Sequence, residues 1–191
     1  MRLLARLGVY VNKRDKCGRT PLMNCALVDD ERWGVGLART LLEYGARSAT
    51  RDRLGFTALH YACVHRRSAL VGVFLAADFD VRVADRRGNS SLHYAAATGD
   101  CDVTTALLAA YRRHRLPVNA VNRASQTPLE FAYYSGHTDC FQMIRDAQEV
   151  DATSSQPPQP QSPVDGYGRG TMRARTSAVS HKGAYRPTSY R

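Results

Sequence analysis

The sequence predicts an all-α solenoid of stacked β-turn, helix and helix units with short hairpin fingertips, followed by a disordered tail. Three observations lead there. One phrase occurs four times: Asp15-Lys-Cys-Gly18-Arg-Thr20-Pro21-Leu22, Asp52-Arg-Leu-Gly55-Phe-Thr57-Ala58-Leu59, Asp85-Arg-Arg-Gly88-Asn-Ser90-Ser91-Leu92 and Asn122-Arg-Ala-Ser125-Gln-Thr127-Pro128-Leu129. Its leucines fall 37, 33 and 37 residues apart, the period of units that each hold two helices and bury their apolar faces only by stacking. From Asp151 onward the composition changes: 22 of the 41 residues are Pro, Gly, Ser, Thr or Gln, and so few aliphatic groups build no core.

Within each unit the phrase has a local physical meaning. An Asp or Asn with Gly three positions later suits a type I turn, in which the side chain bonds its own backbone and Gly takes the conformation other residues resist. The hydroxyls of Thr20, Thr57, Ser90 and Thr127 then cap a helix, and Pro21 and Pro128 stand at the first helical position, where no N–H is needed. Small residues on the first helix (Cys25-Ala26, Ala62-Cys63, Ala95-Ala96 and Ala132) permit close helix approach. The second helix supplies bulk, with Leu41-Leu42, Val73-Phe74-Leu75, Leu107-Leu108 and Phe141, Met143 and Ile144.

The phrase, its period and the Thr-x-x-His pattern at His60 and His93 resemble the ankyrin repeat. The resemblance implies that both histidines hydrogen-bond to the backbone of a neighbouring fingertip. It also implies a concave binding face made of fingertips and the exposed side of the first helices. The expected division is a partial unit at 1–14, four units at about 15–51, 52–84, 85–121 and 122–150, and a tail at 151–191.

The departures are specific. The first and third full units are each four residues longer, around Asp29 to Gly36 and within Ala110 to Pro117. Gly34-Val-Gly36 reads as a loop, since it lacks the third glycine and preceding strand of a dinucleotide site. Ser125 replaces a turn glycine, and Asp78 takes a glycine place after a second helix. Leu4, Gly8 and Asp15 align 37 residues before Leu41, Gly45 and Asp52, so the chain opens inside a second helix. Either a fragment or a degenerate half-unit serving as a cap fits that alignment.

Lys and Arg number 27 against 17 acids, a formal +10; residues 1–150 hold 21 basic and 15 acidic groups, and 151–191 hold 6 and 2. No apolar run reaches the length of a membrane helix, and no signal-peptide pattern opens the chain. Five cysteines, Cys17, Cys25, Cys63, Cys101 and Cys140, include no Cys-x-x-Cys pair, which argues against zinc or a disulfide scaffold and for a reducing, intracellular setting in cytoplasm or nucleus. Neither a phosphate loop nor a nucleophile elbow is present, so the expectation is a monomeric, non-enzymatic protein without cofactor or metal.

What remains is surface. Carried over from the resemblance, the fingertip places are Lys16, Cys17 and Arg19; Arg53, Leu54 and Phe56; Arg86, Arg87 and Asn89; and Arg123, Ala124 and Gln126. The helix places include His65 and Tyr134. From these the expected partner-binding set is Lys16, Arg19, Arg53, Leu54, Phe56, His65, Arg86, Arg87, Asn89, Arg123, Gln126 and Tyr134: a basic rim around an aromatic centre. That surface suits an acidic, partly apolar protein or peptide, as in an adaptor or scaffold. The competing readings are nucleic-acid association through rim and tail, although acids interrupt the charge in every unit, and a regulatory fragment of a larger protein. Arg66, Arg67 and the Arg112 to Arg115 loop are a candidate second patch. In the tail, Ser162-Pro163 suits a proline-directed kinase, Arg173-x-x-Thr176 and Arg186-x-x-Ser189 suit basophilic kinases, and Pro157 to Pro163 holds P-x-x-P spacings.

Overall fold

A fingertip forms here because one carboxylate or amide oxygen organises the turn. Asp52 Oδ1 accepts from the N–H groups of Leu54 and Phe56, both at 2.8 Å. Asp15, Asp85 and Asn122 make the same pair of bonds in their own turns at 2.8 to 2.9 Å. The structure, a computed structural model, describes residues 10–154. The third hairpin closes with an antiparallel bridge between Ala84 and Ser90.

Each turn feeds a first helix. These are α1 (Pro21–Asn24, extended by a 3-10 turn at Cys25–Leu27), α3 (Ala58–Val64), α5 (Ser91–Thr98) and α7 (Pro128–Tyr134). The second helices are α2 (Glu31–Glu43), α4 (Ser68–Ala76), α6 (Cys101–Arg113) and α8 (Thr138–Ser154). First helices pack on first helices and second on second, and the main packing of each described element is within its own unit and against the adjacent one, which makes a solenoid. Leu22, Leu59, Leu92, Phe74 and Leu107 lie at its core with at most 1% exposure, while the small residues Ala26, Ala62, Cys63, Ala95 and Ala96 are wholly covered where helices approach closely. Among the described residues no helix is long and apolar enough to cross a membrane.

Three expectations are corrected. Gly34-Val35-Gly36 is helical, inside α2. Asp30 Oδ1 caps this helix by accepting from Arg32 N–H at 2.8 Å, and Gly34 lets α2 pass over the end of the first helix, since a Cβ there would stand 2.6 Å from the Cys25 carbonyl oxygen. Arg112 and Arg113 are likewise the last residues of α6 rather than loop. The four-residue insertions thus lengthen helices: α2 and α6 have 13 residues against 9 in α4, close to one added turn of 3.6 residues, which preserves the buried face. Finally, α8 runs to Ser154, past the tail boundary expected at Asp151. The expected half-unit's leucines, Ser162, Thr176, Ser189 and the P-x-x-P stretch lie outside the described residues.

Candidate partner-binding face

The fingertips are bonded to one another as well as internally. The N–H of Arg53 donates to the Cys17 carbonyl at 3.2 Å, Arg86 to Leu54 at 3.0 Å, and Arg123 to Arg87 at 2.9 Å. This ladder explains the turn glycines. At Gly55 and Gly88, φ is +87° and +83°, and a Cβ would come within 2.8 Å of the next tip's backbone nitrogen. Ser125 adopts the same left-handed conformation, φ 58°, but among the described residues no further tip stacks on it, so its side chain meets no such obstacle.

Behind the tips, the third residue of each first helix turns its side chain back to accept the N–H of the capping residue. Met23 Sδ does so at 3.4 Å, His60 Nδ1 at 3.3 Å, His93 Nδ1 at 3.1 Å and Glu130 Oε2 at 2.7 Å. Since Nδ1 accepts, the proton of each neutral imidazole sits on Nε2. His60 Nε2–H then donates to the carbonyl of Asn89 at 3.3 Å and His93 Nε2–H to that of Gln126 at 3.1 Å, the cross-unit bonds expected of both residues. Burial pushes the His60 pKa down to about 4, against the opposing pull of the Asn89 carbonyl and the Asp85 carboxylate, and burial lowers His93 as well.

An aromatic strip runs beside the tips. The Phe56 ring lies 5.5 Å from Tyr61 and 5.1 Å from Tyr94, and Tyr61 stacks on His65 at 6.4 Å. Tyr61 donates its hydroxyl proton to Asp52 at 2.8 Å and Tyr94 to Asp85 at 2.5 Å. Burial, then the Asp85 bond, push the Tyr94 pKa to about 12. Burial alone would raise Asp85, but the bonds from Tyr94 and from the Asn89 and Arg87 N–H groups hold its carboxyl below the usual range. Neither tyrosine stands among the residues expected from sequence; their signal is a Tyr nine residues after the turn Asp in the second and third units.

The partner-binding residues expected from sequence separate into groups. Lys16, Arg53, Leu54, Arg86, Arg87 and Arg123 are exposed on the tips, and His65, capping the end of α3, and Tyr134, the last residue of α7, are exposed as well. Phe56 and Gln126 are half-buried, and Arg19 pairs with Asp15 at 2.8 Å within its own turn. Asn89 is not a surface group: it is 5% exposed. Its amide donates to Tyr94 at 3.2 Å and Asp85 at 3.4 Å and accepts from Asn122 Nδ2 at 2.8 Å. It joins the third tip to the fourth.

The second patch loses members in the same way. Arg67 donates to the carbonyls of Ala26, Val28 and Asp29 at 3.3, 2.8 and 3.2 Å, closing the end of the preceding unit's first helix, and Arg66 lies 3.7 Å from Asp100. Glu31 Oε1 accepts the N–H of Ala69 at 2.9 Å and so caps α4 from the unit before it. Among the described residues no cluster of metal-binding side chains occurs.

Residues 1–85 and 68–155 match the family described as ankyrin repeats (3 copies). Over 134 residues, 70% of its length, the chain is 36% identical to the human ankyrin repeat domain-containing protein 63 and 35% identical to the mouse protein. It is 35% identical over 116 residues, 61% of its length, to the ankyrin repeat and LEM domain-containing protein 1 homolog of Caenorhabditis elegans. The matched segments cover 35%, 34% and 15% of those three proteins, so the chain spans about a third of the first two. Repeats of this kind are in general protein-binding modules. With most of its length matched, the chain belongs to the ankyrin-repeat family.

Proposed function

We propose that this protein is an adaptor that binds an acidic, partly apolar protein surface through its fingertips and the exposed side of its first helices. One observation carries the reading: the tips expose Lys16, Arg53, Arg86, Arg87 and Arg123, none ion-paired among the described residues, while the turn acids are engaged by their own backbones. The cations are therefore available to an outside partner. Leu54, 62% exposed, and Tyr134, 73% exposed, supply apolar area beside them, and desolvating such groups gives most of the affinity while charge steers encounter.

The test is affinity purification from lysate, with and without nuclease, comparing wild type with a combined Arg53→Glu, Arg86→Glu and Arg87→Glu variant. The expected result is a protein retained after nuclease, lost in the variant, with thermal stability unchanged. Equal loss of folding and capture would sink the surface reading. Material lost on nuclease treatment alone would assign the charge to phosphate recognition.

A further inference from the structure

The residue after each turn-opening Asp or Asn is basic in all four units: Lys16, Arg53, Arg86 and Arg123. The inter-tip ladder fixes the backbone of the last three. The stems of Arg53 and Arg123 pass beside the preceding tip's glycine, their Cγ atoms lying 3.4 and 3.2 Å from where a Cβ on Gly18 and Gly88 would stand. The row thus repeats once per unit along the stacking direction, at the separation of packed helices, about 8–10 Å.

Few chain conformations place carboxylates on one face at that interval. A β-strand puts same-face residues about 6.6 or 13 Å apart, and an α-helix puts neighbours on one face at about 5–6 Å and returns to it after seven residues at about 10.5 Å. A polyproline II helix has three residues per turn and rises about 3.1 Å per residue, so every third side chain points the same way at about 9.3 Å. Polyproline II segments also dock against aromatic surfaces, and Phe56, on the same tip as Arg53, meets the rings of Tyr61 and Tyr94. We infer, resting on the groove reading above, that the partner is an extended acidic segment in polyproline II form, running along the stack with a carboxylate at every third residue.

The experiment measures binding of the full chain to labelled peptides of equal length and equal Glu content, by fluorescence anisotropy at about 0.15 M salt, with Pro and Ala content matched among all but the helical one. Glu stands at every third residue in one peptide, at every second or every fourth in two others, and a fourth, helix-forming peptide carries it at every seventh. The every-third peptide is expected to bind about tenfold more tightly than the rest, as several aligned exposed ion pairs would give. An Arg53→Glu, Arg86→Glu double variant, checked by its unchanged melting temperature, is expected to abolish the difference. Equal affinity for every spacing, or tightest binding of the helical peptide, would overturn the every-third register and leave the groove standing. Failure of all four peptides, or tighter binding of an oligothymidylate probe, would overturn both.

Discussion

The Nε2–H of His93, on α5, donates to the main-chain carbonyl of Gln126 in the next fingertip, 3.1 Å away. His60 makes the equivalent bond to Asn89 at 3.3 Å. Each imidazole closes its own helix cap with one nitrogen and joins two units with the other, which requires the neutral ring. The bond is absent from the first and last units, where Met23 and Glu130 hold the corresponding place. The histidines therefore belong to the interfaces between units.

A pH dependence of stability follows. The pKa of His60 falls from an unfolded value of 6.5 to about 4 on burial, so between those values the unfolded chain binds more protons than the folded one. Stability is full above about pH 6.5 and is lost as pH falls toward 4. Thermal denaturation across that window is expected to show a falling melting temperature, with a shallower slope in His60→Gln. Identical slopes would remove His60 from the acid transition.

Asn89 and Arg86 share one fingertip and are expected to behave oppositely. Asn89→Ala breaks the links to Tyr94, Asp85 and Asn122 and leaves buried partners unsatisfied, a loss of about 1–3 kcal/mol. Arg86→Ala, at an exposed cation without an ion pair, is expected to stay within about 0.5 kcal/mol. Urea denaturation of the two variants checks this, and an unaltered midpoint for Asn89→Ala would return that residue to the surface set.

The contrast between these residues shows where the sequence was readable. Turns, caps and the leucine core follow from short-range chemistry repeated four times, so the repeat itself reveals them. The place of Asn89 is half-exposed in the other units, as Arg19, Phe56 and Gln126, and here it is buried where Asp85, Tyr94 and, from the next unit, Asn122 bond it. Gly34 and Gly36 have low helix propensity, yet the Asp30 cap and the close pass over Cys25 keep them helical. The Arg67 and Glu31 bonds span 38 to 41 residues, beyond any local pattern. On the candidate face, the charges and the rings of Phe56 and His65 were legible, and Tyr61 and Tyr94 with the carboxylates they bond were not.

Two glycines of like conformation separate the sources of their requirement. Gly45 and Gly88 have φ of +80° and +83°, but a Cβ on Gly45 meets nothing within 4 Å, whereas one on Gly88 comes within 2.8 Å of Arg123 N. Gly45→Ala is expected to cost about 1–2 kcal/mol, the price of a left-handed non-glycine residue. Gly88→Ala adds disruption of the Arg123 to Arg87 ladder bond and is expected to cost at least about 1 kcal/mol more. Equal costs in chemical denaturation would mean that the tips separate without penalty.

Arg66 and Arg67 are adjacent and equally basic, yet only one is expected to matter for folding. Arg67 reaches three carbonyls across a unit boundary, so Arg67→Ala leaves the end of the preceding first helix unpaired and is expected to cost about 1–3 kcal/mol. Lysine should recover less than half of that, because an ammonium lacks the planar fork that serves several acceptors together. Arg66 has a 62% exposed side chain lying 3.7 Å from Asp100 and a left-handed backbone, φ 55°. An exposed pair at that distance adds little, and glycine relieves the backbone strain, so Arg66→Gly is expected to be neutral or slightly stabilising. Comparing melting temperatures of the three variants tests the assignment: a loss in Arg66→Gly as large as that in Arg67→Ala would show that the pair with Asp100 in the third unit matters as much as the carbonyl bonds to the first.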